Sequence, residues 1–145
     1  METPTQDRIQ DFVGTINNLS VSGDIVVGSI VVSDENEVET VVASLLHHDE
    51  NIAVLEDIKS TDSFARNLYL QLQDGKVVVL TEFTPFIKQQ LWSLVHDQKL
   101  LFTDNSGNSA DGTIQMPGAA VILVLPEGVF DTVDSGGIIS LVERI

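Results

Sequence analysis

Three stretches of this chain are largely apolar, rich in β-branched residues and nearly free of polar alternation: Asp24-Ile25-Val26-Val27-Gly28-Ser29-Ile30-Val31-Val32, Val77-Val78-Val79-Leu80 and Ala119–Leu125. A strand with one wet face alternates apolar and polar side chains; a run without alternation belongs to a sheet covered on both faces, as in parallel sheets flanked by helices. The intervening segments supply those helices. Ser33-Asp34-Glu35-Asn36-Glu37 is an acidic helix start, because carboxylates complement the positive end of the helix dipole. Val38, Val41, Val42, Leu45 and Leu46 follow at helical spacing as a single apolar stripe. Asn51–Glu56 fits a second strand. Ser60 or Thr61 then caps a helix carrying Phe64, Leu68 and Leu72, which Gly75 ends. Thr84-Pro85 pairs a cap with proline at the first helical position, ahead of Ile87, Leu91, Leu94 and Val95.

The remaining segments extend this pattern at both ends. Ile9, Phe12, Val13, Ile16 and Leu19 recur at helical spacing over residues 5–19, with Thr5 as cap and Gly14 as a weak point, and Gly23 breaks the chain before the first strand. Leu100-Leu101-Phe102 and Gly112-Thr113-Ile114-Gln115 flank a loop rich in Asn, Ser, Gly and Asp, which predicts a β-hairpin. After Pro126 and Gly136-Gly137, Ile138–Ile145 fits a fifth strand or a last helix. The expectation is one domain over 1–145, with a leading helical segment at 1–22 and an α/β core at 23–145. Its centre is a mainly parallel sheet with helices on both faces and a hairpin inserted before the fourth core strand. Ligands of such sheets sit at the carboxyl ends of the strands, here Gly28–Asp34, Glu56–Asp57, Thr81–Thr84 and Leu125–Glu127.

Charge narrows the partners. Seven Lys and Arg stand against 22 Asp and Glu, a formal net charge of −15. Such a surface repels phosphate backbones and anionic lipid, so neither direct nucleic-acid binding nor membrane binding is expected. The acidity serves solubility, as in a salt-rich, halophile-like cytoplasm where charge is screened, or docking on a basic protein. The sequence contains no cysteine, which excludes disulfides and thiolate metal sites. No apolar run approaches the length of a bilayer span, and Met1-Glu2-Thr3-Pro4 does not open a secretory signal, so the expected location is cytoplasmic.

The stretch from Lys76 to Glu127 carries a more specific pattern. Val77-Val78-Val79-Leu80-Thr81-Glu82-Phe83 is four apolar residues, a polar pair and an apolar residue. The helix Phe86–Asp97 follows with Gln89, Gln90, Leu91 and Leu94, then the hairpin, then Asp111-Gly112-x-Ile114-x-Met116-Pro117 and the strand Ala119–Leu125. In this order and these lengths residues 24–145 resemble the P-loop NTPase core of AAA+ ATPases, nearest in look to the minichromosome-maintenance helicases and the chaperone-like MoxR group. The resemblance implies a Walker A loop, G-x-x-x-x-G-K-[ST], after the first strand, whose amides, lysine and hydroxyl hold nucleotide phosphates and magnesium.

This chain departs from that pattern where the chemistry lies. In the equivalent frame, Gly28 stands at the first glycine, Ser33 at the second, Asp34 at the lysine and Glu35 at the Ser/Thr. Two carboxylates facing a triphosphate repel it, by about 4 kcal/mol per unit-charge pair at ~4 Å and an effective dielectric near ~20. The Walker B aspartate is replaced by Thr81, leaving only Glu82 at the position of the water-activating carboxylate, and Leu125-Pro126 stands where a polar sensor is expected. Arg144 resembles the family's arginine near the end of the core, but a lone arginine is more often a surface ion pair than a finger.

Other candidates have plain readings. His47-His48 and His96 suit helix-end capping, since neighbours at i, i+1 diverge and no third ligand is near. Asp104–Asp111 lacks the glycine and the bidentate glutamate of a calcium loop, and its tip carries no basic residue; only Lys99 lies near the base. Asn18-Leu19-Ser20 is a formal glycosylation sequon. Glu56, Asp57 and Glu82 form a carboxylate cluster only if the strand ends converge. Trp92 falls one position off its helix's stripe, so it is a flank of the core or an interface residue.

The expected function is a non-catalytic interaction module on a degenerate AAA+-like core, with no cofactor or metal, self-associating or docking on a protein such as an active relative. Two alternatives stay open: a divergent ATPase or hydrolase using Glu82, and an acidic nucleic-acid mimic that occupies a basic protein.

Overall fold

A computed structural model describes residues 4–23, 25–48, 52–55, 61–103, 109–115, 119–131, 138–139 and 141–144. In chain order the elements are α1 (Pro4–Val21), β1 (Ile25–Val32), α2 (Asn36–His48), β2 (Ile52–Leu55), α3 (Thr61–Gln73), β3 (Val77–Leu80), α4 (Pro85–Asp97), β4 (Lys99–Thr103), β5 (Ser109–Gln115), β6 (Ala119–Pro126), α5 (Glu127–Phe130) and β7 (Leu141–Arg144). Ile138–Ile145, open between strand and helix on sequence grounds, supplies a strand.

The main sheet has five strands in the order β2-β3-β6-β1-β7, every pair parallel. Taken as core strands one to five, that order is 2-3-4-1-5, which differs from the two common doubly wound orders, 3-2-1-4-5-6 and 2-1-3-4-5. The two longest apolar runs, β1 and β6, are paired over their whole length from Ile25↔Ala119 to Val32↔Pro126. They occupy interior positions of the sheet because their side chains find apolar partners on both faces. Hydrophobic burial is the dominant force that places them there. β4 and β5 form a separate antiparallel ribbon before β6, as the two extended segments predict. Within it, Asp111 belongs to β5; residues 104–108, most of the calcium-like loop, lie outside the described residues.

Side-chain alternation divides the core into two layers. Val26, Ile30 and Val32 of β1, with Val77, Val79, Ala120, Ile122 and Val124, pack under α1 and α2. Val27, Val78, Leu80, Val121, Leu123 and Leu125 pack under α3 and α4. The leading helix is thus part of the core, with Ile9, Phe12, Val13 and Ile16 all buried in the first layer. Its seat depends on Gly28: a Cβ built there would meet Ile16 Cδ1 at 2.4 Å and Phe12 Cζ at 2.6 Å. The glycine lets α1 lie close on β1.

Helix ends follow local chemistry. Thr84, in extended conformation, accepts a hydrogen bond from the Ile87 amide at 3.4 Å, and Pro85 opens α4. α4 ends on Gln98 in the left-handed region, φ 56°, whose amide donates to Ser93 O. Glycine ordinarily takes such a position. Arg8 of α1 donates from Nε to Glu143 Oε1 at 2.5 Å and from Nη2 to the carbonyl of Arg144, tying α1 to the edge strand β7.

Candidate functional site: an acidic cleft at the carboxyl end of the sheet

Because all five strands run the same way, the segments leaving β1, β3 and β6 emerge at one end of the sheet. A cleft of about 850 Å³ opens there. One wall is Glu35, in the turn before α2, followed by a flank of α2 with Val38, Glu39, Val42, Ala43 and Leu46. Facing it are Thr81, Glu82, Phe83 and Thr84, which follow β3, Pro126 at the end of β6, and Gly128 and Val129 beyond it. Two of the four stretches marked out by sequence, Thr81–Thr84 and Leu125–Glu127, therefore contribute to it, while Gly28–Asp34 does not line it and only the next residue, Glu35, does. Glu56 and Asp57 lie outside the described residues.

The floor is apolar and the rim is acidic. Val38 and Val42 sit at the base, 8% and 9% exposed, while Leu46 and Val129 remain 48% and 40% exposed. Glu35, Glu39 and Glu82 are all exposed, and no Lys, Arg or His is among the described residues that line the cleft. Neither are these carboxylates gathered as a metal site: among the described residues no group of three or more His, Asp or Glu is placed to hold a metal ion.

The β1–α2 connection agrees with the strand read from the unalternated run and departs from the phosphate loop that the family resemblance implies. The eight-residue frame from Gly28 to Glu35 is not a loop. Gly28 through Val32 belong to β1 and are buried, so the connection has only Ser33, Asp34 and Glu35. Gly28 is a packing glycine under α1, and Ser29 donates its hydroxyl to Leu123 O at 3.1 Å inside the sheet. The short turn is closed by its own side chains. Asp34 Oδ1 accepts from the Asn36 amide at 3.1 Å, and Ser33 donates its hydroxyl to Glu37 Oε1 at 2.7 Å. The amides of Glu37 and Val38 donate to the carbonyls of Asp34 and Glu35. A helix N-terminus attracts anions because its first amides lack partners. In α2 those amides already have them, and the nearest anion is the chain's own.

The remaining sequence candidates fall in separate places. Thr81 is half-buried beside the exposed Glu82 at the cleft's rim. Leu125 is fully buried, and Pro126 caps α5 through extended backbone without a side-chain hydrogen bond. Arg144 is held within the chain: Nη1 lies 3.5 Å from Glu127 Oε1, and the guanidinium sits 5.3 Å from the centroid of Phe130. Its surroundings are those of a strand-to-helix tie. Trp92 is 47% exposed on α4, its ring 4.7 Å from that of His96, apart from the cleft. His47 and His48 close α2, and His96 lies in the last turn of α4. The sequon Asn18-Leu19-Ser20 is part of α1.

Leu46 departs from its expected place. Its spacing from Val38 assigns it to the core stripe, yet nearly half of its surface is open. At 100° per residue it lies about a quarter-turn from the centre of that stripe, on the same flank as Glu35 and Glu39. This second stripe, acidic at one end and apolar at the other, is the sequence signal for the cleft.

No protein-family model matches the chain, and no curated protein matches it in sequence. Among the described residues no helix is long and apolar enough to cross a membrane.

Proposed function

We propose that this protein is a non-catalytic interaction module: a P-loop-NTPase-like, AAA+-like core that has given up its nucleotide chemistry and binds protein. One observation carries the reading. The turn between the first strand and the helix after it is three residues long, and the Asp34 carboxylate occupies the helix amide that a phosphate would need. The hairpin before the fourth core strand and the all-parallel order support the scaffold half of the reading. Thr81 and Glu82 support the chemical half: Thr81 offers no carboxylate to magnesium, and among the described residues Glu82 belongs to no group placed to hold a metal ion. A net charge of −15 favours a basic partner over a second copy of an equally acidic chain.

Isothermal titration of the protein with ATP and magnesium tests this directly. The expected result is no saturable heat and no turnover; micromolar binding, or hydrolysis that Glu82→Gln abolishes, overturns the reading.

A further inference from the structure

The cleft has a shape and charge that select one kind of occupant. Its wall from Glu35 along α2 to Leu46 spans about 16 Å at the helical rise, or three turns. Its lining is helix flank and strand ends; both edge strands of the sheet, β2 and β7, contribute nothing to it among the described residues. An added β-strand would find no unpaired backbone there, whereas a helix can lay side chains into it. The apolar floor asks for an apolar stripe. Glu35, Glu39 and Glu82 on the rim, unopposed by any cation among the described lining residues, ask for lysines or arginines beside it.

We propose that this cleft binds a basic amphipathic helix of a partner protein, about three turns long, with its apolar stripe against Leu46 and Val129 and its cations against Glu35, Glu39 and Glu82. The inference rests on the interaction-module reading and names the site and the partner's chemistry. Leu46 and Val129 stay exposed because the covering surface belongs to another molecule.

The test is fluorescence anisotropy with a labelled peptide of about eleven residues, Leu and Lys patterned at helical spacing, at physiological salt. Two control peptides carry Ser for Leu or Glu for Lys. The Leu/Lys peptide is expected to bind saturably and both controls to bind far more weakly. Binding should weaken about tenfold in Leu46→Ser and in Val129→Ser. A comparable loss is expected in the triple variant Glu35→Gln, Glu39→Gln, Glu82→Gln. Removing the same charge elsewhere, with Asp11→Asn, Asp74→Asn and Asp97→Asn, should change affinity by less than about twofold. All the substituted side chains are at least partly exposed, so circular-dichroism melts are expected to show folded variants.

Equal binding of the Ser-for-Leu peptide, or equal losses in both charge-removed triples, overturns the proposal in favour of diffuse attraction by the acidic surface. A dimer in sedimentation that Leu46→Ser dissociates also overturns it, because the occupant is then a second copy. These results leave the absence of nucleotide chemistry intact, whereas binding of ATP with magnesium strikes that reading and not the cleft, so the two fail separately.

Discussion

The substitution Gly28→Ala separates a packing glycine from a phosphate-loop glycine. A methyl at Gly28 would sit 2.4 Å from Ile16 Cδ1 and 2.6 Å from Phe12 Cζ, where apolar carbons settle at ~3.5–4.0 Å. Both neighbours are buried in the α1–β1 layer, so α1 must move by about 1 Å or two side chains must leave their rotamers. Overpacking of that kind costs about 1–3 kcal/mol. Against it stands a gain of ~0.5–1 kcal/mol from replacing glycine within a regular element. The net expectation is a loss of about 1–2 kcal/mol, or ~2–8 °C in Tm for a domain of this size. Gly14→Ala is the matched control: its Cβ meets nothing within 4 Å on the exposed side of α1, and the variant should gain about 0.5–1 kcal/mol. Thermal and urea melts measure both. If Gly28→Ala is neutral or stabilising, α1 does not lie on β1 as described.

Asp34→Ala should cost about 1 kcal/mol in urea melts, the usual value of a lost N-terminal cap, and a loss below ~0.3 kcal/mol would show that the Asp34 bond to the Asn36 amide is not made. Arg8→Ala should leave global stability within about 1 kcal/mol, since the pair with Glu143 is partly exposed. It should nevertheless speed hydrogen exchange at the Leu141–Arg144 amides of β7; unchanged exchange would mean that α1 does not secure that edge. Glu82→Gln should change stability by less than ~0.5 kcal/mol, as expected of an exposed rim residue, and a larger change in the melt would place Glu82 in an interaction inside the fold.

The fold was legible where periodicity and burial speak together. Unalternated runs placed β1, β3 and β6 in the sheet, and Thr84-Pro85 set the start of α4 to the residue, because a cap and a fixed φ act locally. The C-terminal strand was not legible, since Leu141–Arg144 is only four residues long and its identity depends on the edge of β1 that it completes. Gln98 gave no sign of a left-handed helix end, a place where glycine is the usual marker. The site was half legible. Strand direction put Thr81–Thr84 and Leu125–Glu127 together, and the unalternated run already placed Gly28–Val32 in a strand, so the loop that the family resemblance implies over Gly28–Glu35 is confined to its last three residues. Leu46 belongs to the cleft for a separate reason: a residue on the border of a helical stripe is buried or bare according to what packs beside it.

In the proposed function, the turn after the first strand is closed to phosphate while the neighbouring cleft is open to protein. Amide NMR of the uniformly labelled protein, titrated with ATP and magnesium to millimolar concentration, reads that turn directly. The account predicts that the amides of residues 33–38 hold their positions throughout, Asn36 foremost, because Asp34 already holds its proton. Saturable shifts centred on those amides would contradict it.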